Sequence, residues 1–249
     1  MKHILFFLLF VSPFLIQGQE LVTDRPDITE SAVIVPGGSL QVEQGVGIAF
    51  EGSDREVGIL STLLRYGINE HFELRGELFP VLDPVADANQ LGIAPVSLGL
   101  KILLTEKDTR GIQMALLTHF VFSQLATAEY REPHNALRVL LAAQKDINEA
   151  FTLSANAGFS YDTNSSLLQY VYSISAGYAP FEKLGIFAEQ FTVSAIPGSN
   201  NPNDYAMDAG ITYLLSPLFQ LDASAGVSLT YADSYFFSAG ISWRIDGKK

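Results

Sequence analysis

Charged residues of both signs occupy alternate positions near the end of the first third of the chain. Glu73, Arg75 and Glu77 are separated by single residues, and Arg65 and Lys101 occupy polar positions of the alternating segments on either side. Alternate residues of a β-strand point to the same face, so carboxylates and guanidinium groups of adjacent strands would meet there. Two kinds of chemistry fit: ion pairs that fill an interior, or a charged constriction that selects what passes.

The remaining polar residues contain no catalytic signature. Neither G-x-S-x-G, H-E-x-x-H nor a P-loop occurs. His119, Ser154 and Asn156 match by residue type the Ser/His/Asn set of a lipid-hydrolysing membrane enzyme, but no local motif supports the match. The chain has no cysteine, and His71, His119 and His134 lack metal-ligand spacing. We therefore expect no catalytic residue, no metal and no cofactor.

The composition constrains the elements that carry these side chains. Of 249 residues, 48% are hydrophobic and only 17% are charged, with a net charge of −12. The acidic balance argues against a nucleic-acid partner, because phosphate neutralisation needs clustered Lys and Arg. Beyond the extreme N-terminus, no apolar run approaches the ~20 residues of a membrane-spanning helix. The apolar residues must therefore be distributed by alternation.

Alternation with a period of two continues from Leu40 to the end of the chain. It is strict from Phe151 to Tyr161 and from Phe219 to Tyr231, longer than the usual soluble strand and long enough to cross a bilayer at a tilt. The pattern predicts an all-β, transmembrane, antiparallel up-and-down β-barrel of about twelve strands. We place the strands at residues 39–50, 56–68, 71–80, 93–105, 111–124, 136–146, 150–162, 168–180, 184–195, 205–215, 218–231 and 234–245.

The connections between these strands fall into two classes. One end of the barrel has short turns, whereas most connectors at the other end are longer. The longer ones are Val81–Gly92, Leu125–Asn135, Thr163–Leu167 and Ile196–Asp204. This asymmetry is typical of bacterial outer-membrane barrels, and an even strand number places both termini in the periplasm. The barrel must close, because a spanning sheet cannot leave backbone groups unpaired in lipid.

The N-terminus has the features of a secretory signal. A short basic start precedes thirteen residues from Ile4 to Ile16 that are almost entirely apolar, and Gly18 suits the position before cleavage. We predict a signal peptide at residues 1–18, a periplasmic or plug segment at residues 19–38, and an outer-membrane barrel at residues 39–249. Residues 19–38 are called the N-terminal segment below.

The polar strand face is predicted to line the lumen. The lumen or constriction residues are Glu43, Arg65, Glu73, Arg75, Glu77, Lys101, Arg138 and Glu189. Other polar residues predicted to point inward are Gln113, His119, Gln144, Asn156, Asp208, Asp222 and Arg244. The N-terminal segment is long enough to fold into the lumen, where we expect its Asp24, Arg25, Asp27 and Glu30 to pair with inward charges such as Arg65, Arg75, Lys101 or Glu73. The alternative is a loose periplasmic tail.

Two predicted strands also place apolar side chains on the lumen face. Ile59 and Leu63 share that face with Arg65. Phe187, Phe191 and Val193 share the face of Glu189. Such residues either pack within the lumen or line a path for an apolar solute.

Several motifs resemble one family. The stretch Thr23-Asp24-Arg25-Pro26-Asp27, then Thr29-Glu30-Ser31, Pro36-Gly37-Gly38 and Gln41-x-Glu43, is similar to the start of the transporter-like outer-membrane proteins grouped with the MetA pathway of phenol degradation. Pro95 to Lys101 resembles a recurrent segment of that family ending in Gly-x-Lys. The resemblance covers most of the mature chain and implies a β-barrel that passes small, often hydrophobic or aromatic compounds. Ile28 departs from the polar residue expected there.

The leading hypothesis is a passive conduit for small molecules in the bacterial outer membrane. A plugged structural or adhesion-type barrel without transport is the first alternative, and an integral lipid-modifying enzyme is the second. The expected partners are outer-membrane lipid, a small solute and the barrel-assembly machinery.

Overall fold

The computed structural model of the chain describes residues 21–52, 54–85, 88–105, 111–132, 134–162, 168–194 and 204–247. The strands are β1 Leu40–Glu51, β2 Asp54–Gly67, β3 Phe72–Leu78, β4 Pro80–Val85, β5 Ala88–Ile93, β6 Val96–Thr105, β7 Ile112–Phe122, β8 Ala136–Asp146, β9 Phe151–Asp162, β10 Leu168–Phe181, β11 Leu184–Ser194, β12 Asp204–Ser216, β13 Phe219–Ser228 and β14 Ser234–Ile245. Two short 3₁₀ turns, Ser123–Leu125 and Ala128–Tyr130, lie between β7 and β8. The predicted signal peptide, residues 19–20 of the N-terminal segment, the whole predicted loop at 163–167, and residues 196–203 of the predicted loop that follows lie outside the described residues.

The strands form a closed antiparallel barrel, which confirms the predicted fold. The first strand pairs with the last along its full length, from Leu40 opposite Ile245 to Glu51 opposite Ser234. It also pairs with β2, so the ring is continuous. Strands β3 and β4 follow one another with a one-residue break, and β5 and β6 with a two-residue break. Counted with each of these two pairs as one interrupted strand, the fourteen described strands make a twelve-stranded barrel.

The prediction that Val81–Gly92 forms a long loop is wrong. Its described residues, 81–85 and 88–92, belong to a hairpin in which β4 pairs with β5 from Pro80 opposite Ile93 to Val85 opposite Ala88. The prolines and polar residues of this stretch obscure the alternation, but the hairpin continues the ladder of β3 and β6 beyond the break. Pro80 begins its strand, where a missing N–H is tolerated.

The barrel is polar inside and apolar outside. In β13, Gln220, Asp222 and Ser224 are buried, whereas Leu221 and Val227 are exposed. Glu43, Arg65, Glu73 and Lys101 have no exposed surface at all. Such an apolar outer face is stable only against lipid. In the described part of the chain, no helix has the length and apolar character needed to span a membrane.

A β-bulge corrects the predicted lumen face of β2. Gly45 pairs with Ser61, but Gly47 pairs with Gly58, so Ile59 and Leu60 together oppose Val46. Leu60 adopts a left-handed φ of 52°. Because cross-strand partners share a face, Gly58 rather than Ile59 continues the lumen face above the bulge.

Candidate functional site

The N-terminal segment begins and ends at the short-turn end of the barrel. Gly38 N–H donates to Gly67 O at 2.7 Å, and Leu21 N–H donates to Pro217 O at 3.2 Å in the turn between β12 and β13. The carbonyl groups of Val35 and Pro36 lie so close to Gly67 that a Cβ there would overlap them. Between its two ends, the segment rises into the lumen and contacts strands around the ring.

Asp24 lies at the centre of the buried ion-pair cluster. Its Oδ2 atom is 2.7 Å from Nη1 of Arg75, 3.1 Å from Nη1 of Arg65 and 3.2 Å from Nζ of Lys101. The other carboxylate oxygen accepts hydrogen bonds from Ser31 N–H at 2.9 Å and Ser31 O–H at 2.7 Å. Asp24 therefore joins three strands of the wall and also closes the segment on itself.

The wall supplies its own carboxylates to the same cations. Arg65 is 2.8 Å from Glu73 and 3.0 Å from Glu43. Glu43 also accepts the backbone N–H groups of Asp24 and Arg25, at 3.0 and 2.9 Å. Glu73 accepts the N–H of Val35 at 2.9 Å. These acids thus serve both as ion-pair partners and as acceptors for backbone groups that would otherwise be buried unpaired.

Two acids of the segment have opposite pKa shifts. Burial raises the pKa of Asp24, but Arg65, Lys101 and Arg75 outweigh burial and hold that pKa well below its usual range. Glu30 lies 2.7 Å from Arg75. Burial nevertheless raises the pKa of Glu30 to about 8, and Asp24 adds to the increase while Arg75 opposes it. Glu30 is therefore the proton-sensitive contact of the cluster.

Arg25 pairs with none of the four wall residues named as examples, but with Asp222, another residue predicted to point inward. Its Nη2 atom lies 3.0 Å from Asp222 and donates to the Ser238 hydroxyl at 2.9 Å. The guanidinium rests against Gly45 and Gly240, which oppose each other on β1 and β14, and a Cβ at either position would overlap it. The side chain of Arg25 therefore lies against β1, β13 and β14, whereas that of Asp24 faces β2, β3 and β6.

Asp27, in contrast, forms no ion pair with a described basic residue, contrary to expectation. The residues after it are bound by Glu189, which accepts the N–H of Ile28 at 2.5 Å and that of Thr29 at 2.9 Å. The Thr29 hydroxyl also donates to Glu189. Burial, and then the charge of Glu189, raise the pKa of Asp27 well above its usual range.

A small apolar contact in the lumen escaped the sequence-based prediction. Ala32 is fully buried against Ala115, Leu117, Leu140 and Ala142 of β7 and β8. On both strands these residues occupy the lumen face, as Gln113 and Gln144 do. An apolar pair at Leu117 and Leu140 within the polar face was the available signal.

The predicted residues Glu77 and Arg138 lie farther toward the long-loop end. His119 Nδ1 is 3.1 Å from Glu77 Oε1, and Arg75 Nε donates to His119 Nε2 at 3.1 Å. Ser97 also donates to Glu77. Arg138 is half-buried opposite His119 on β8. Because Arg can only donate, Nε2 is the unprotonated nitrogen and is already occupied.

The segment leaves one side of the lumen open. A cavity of about 340 Å³ lies between residues 21–31 and the inner faces of strands β8 to β13 near the short-turn end. Its polar lining includes Ser154, Ser175, Thr212, Gln144 and Gln220. The charged cluster and the cavity thus occupy opposite walls.

The closed sheet, apolar exterior and polar lumen define an outer-membrane β-barrel. The chain belongs to the family described as "MetA-pathway of phenol degradation", whose sequence profile matches residues 23–245. Comparison with curated proteins found no match.

Solved structures of low identity have the same fold. An outer-membrane channel from Pseudomonas putida F1 superposes with a TM-score of 0.65 at 10% identity, covering 86% of this chain and 98% of that one. The NanC porin gives a TM-score of 0.61 at 8% identity, covering 82% and 100% of the two chains. The KdgM porin gives 0.59 at 8% identity, covering 82% and 98%.

Proposed function

We propose that the protein is a passive outer-membrane conduit for small solutes whose lumen is narrowed by the N-terminal segment. The observation that carries the proposal is the asymmetric lumen. Ion pairs hold Asp24 and Glu30 against β2, β3 and β6, while the opposite wall borders a cavity of about 340 Å³. A polar cavity beside the N-terminal segment is expected in a barrel that passes solutes, but has no evident role in a barrel that serves only as a scaffold.

The solute class is inferred from the family and from the lumen. Membership of a family described by phenol degradation favours small hydrophobic or aromatic compounds. Phe187 and Phe191 point into the lumen and are 7% and 6% exposed. The similar structures are named as a channel and porins, and these names are consistent with diffusion through a barrel.

Deletion of residues 21–38 tests the conduit. Purified protein in planar bilayers is expected to conduct weakly, and the deletion variant is expected to conduct more, because the ion-paired filling is gone. Liposome swelling with phenol-sized solutes gives the flux. If both proteins lack conductance and flux, the second candidate, a plugged structural barrel, is favoured. The observation that supports this candidate is the buried network around Asp24.

The enzyme hypothesis has little support from the geometry. Both ring nitrogens of His119 face Arg75 and Glu77. Asn156 is engaged by the backbone of Glu30 through its Oδ1 and Nδ2 atoms, at 2.7 and 2.9 Å. Ser154 lines the cavity. We expect Ser154→Ala and His119→Ala to leave any lipase activity of the purified protein unchanged; loss of activity in both would revive the hypothesis.

A further inference from the structure

Two facing carboxylates on the lumen wall have no basic partner. Glu189 on β11 and Asp208 on β12 are direct cross-strand partners and are 4% and 3% exposed. Among the described residues, neither side chain forms an ion pair, and neither oxygen of Asp208 accepts a hydrogen bond from a backbone or basic group; the two carboxyl groups lie within hydrogen-bonding reach of each other. A buried acid without a donor is costly and is usually retained for a ligand or a proton.

The neighbouring acid on the N-terminal segment adds to the shortage of positive charge. Asp27 precedes the two residues whose N–H groups bind Glu189. The segment's one basic residue in this region, Arg25, is already 3.0 Å from Asp222. The three acids Asp27, Glu189 and Asp208 thus have no described cation among them.

Aromatic rings surround the two wall carboxylates. Phe187 and Phe191 flank Glu189 on the lumen face of β11. The ring of Phe236 lies 6.3 Å from that of Phe191, tilted by 58°. A Cβ placed on Gly226, the cross-strand partner of Asp208, would overlap the Phe236 ring and lie 2.7 Å from Asp208 Cβ. Phe236 and Asp208 therefore border the same point in the lumen.

We propose that Glu189, Asp208, Phe187, Phe191 and Phe236 form a binding site for a small organic cation that carries an ammonium group. Carboxylates supply the counter-charge, and aromatic faces stabilise an alkylammonium group by cation–π attraction. A metal ion fits less well, because the described residues contain no group of His, Asp or Glu arranged to hold one. The occupant inferred from the chemistry is a primary to quaternary amine.

The site adjoins the open side of the lumen. Phe187 and Asp27 both line the cavity of about 340 Å³. A solute that enters this cavity from the short-turn end therefore meets the aromatic wall and the acids next. The inference rests on the proposed conduit for the route of the solute, whereas binding itself can be measured without transport.

Choline is a suitable probe, with 3,3-dimethylbutan-1-ol as its uncharged match in shape. Isothermal titration of detergent-folded mature protein is expected to give saturable binding of choline and none of the alcohol. Asp208→Asn is expected to weaken choline binding at least tenfold, and Phe236→Leu severalfold. The control variant Glu70→Gln removes one exposed acid in the short turn between β2 and β3 and should bind choline as the parent does. Heat-modifiable migration verifies that each variant is folded.

Equal binding of choline and the alcohol, or equal choline binding by the parent and Asp208→Asn, would overturn the inference. Should Asp208→Asn fail to fold, the comparison of the two probes on the parent protein still decides it. Choline binding without any conductance or flux would refute the conduit and leave the site standing. Conductance without choline binding would refute the site and leave the conduit standing.

Discussion

The carboxylate of Asp24 lies 2.7 Å from the guanidinium of Arg75, although 51 residues separate them in the sequence. This contact joins the N-terminal segment to the barrel wall, and both side chains are withdrawn from water. The segment is therefore part of the filling of the lumen, and its release requires charges to be separated in a buried setting.

Asp24→Asn should destabilise the docked segment strongly. The substitution keeps the shape but leaves Arg65, Arg75 and Lys101 with one fewer negative charge, and breaking a buried ion pair costs about 3–5 kcal/mol. The expected results are faster proteolysis of residues 21–38 and a lower midpoint in urea unfolding. Glu51→Gln, an exposed acid, is the control and should match the parent. Unchanged proteolysis in Asp24→Asn would mean that the cluster does not hold the segment.

Gly45→Ala should displace Arg25. The added methyl group would occupy the position of the guanidinium, and the loss of its contacts with Asp222 and Ser238 should loosen residues 24–28. Hydrogen exchange of this stretch is expected to accelerate by roughly tenfold, corresponding to about 1.4 kcal/mol. Gly177→Ala is the matched control, because its nearest neighbour would be Thr152 O at 3.9 Å. Equal exchange in the two variants would contradict the role assigned to the glycine.

Docking of the segment should weaken as the pH rises. Glu30 binds its proton more tightly in the docked segment, with a pKa raised from 4.5 to about 8. Its contribution is therefore complete below pH 4.5 and is lost as the pH rises through 8. The raised pKa of Asp27 acts in the same direction, whereas Asp24, with a lowered pKa, loses its contribution only in acid.

Bilayer conductance measures this dependence between pH 6 and 9. We expect the conductance of the parent protein to increase with pH, and Glu30→Gln to show a smaller increase because its proton-sensitive group is gone. A conductance independent of pH in the parent would exclude Glu30 as a titrating contact.

Ala32→Leu should expel the middle of the segment by steric conflict. Ala32, Ala115 and Ala142 are each fully buried, and extra methyl groups in such a contact cost about 1–3 kcal/mol. Conductance is expected to increase. Ala223→Leu is the control, because Ala223 alternates with the buried Asp222 and Ser224 and so lies on the lipid face. A conductance change of the same size in the control would make the effect unspecific.

The alternation predicts the strand order, the twelve-stranded barrel and the inward charges of β3, because lipid and lumen impose opposite polarities on successive residues. Prediction from the alternation failed where a bulge changed which residues face the lumen and where a strand was not recognised. The bulge at Leu60 shifts the register of β2, and the hairpin of β4 and β5 carries prolines where alternation is hard to recognise.

The partners of the N-terminal charges were determined by the tertiary structure. The sequence by itself established that residues 19–38 carry charges of both signs, cannot face lipid and are long enough to enter the lumen. It did not determine that Asp24 meets three cations, that Arg25 pairs with Asp222, or that Glu189 accepts the N–H groups of the two residues after Asp27. Strand periodicity specifies a face, but a segment without periodicity is placed only by contacts with walls that closure of the barrel brings together.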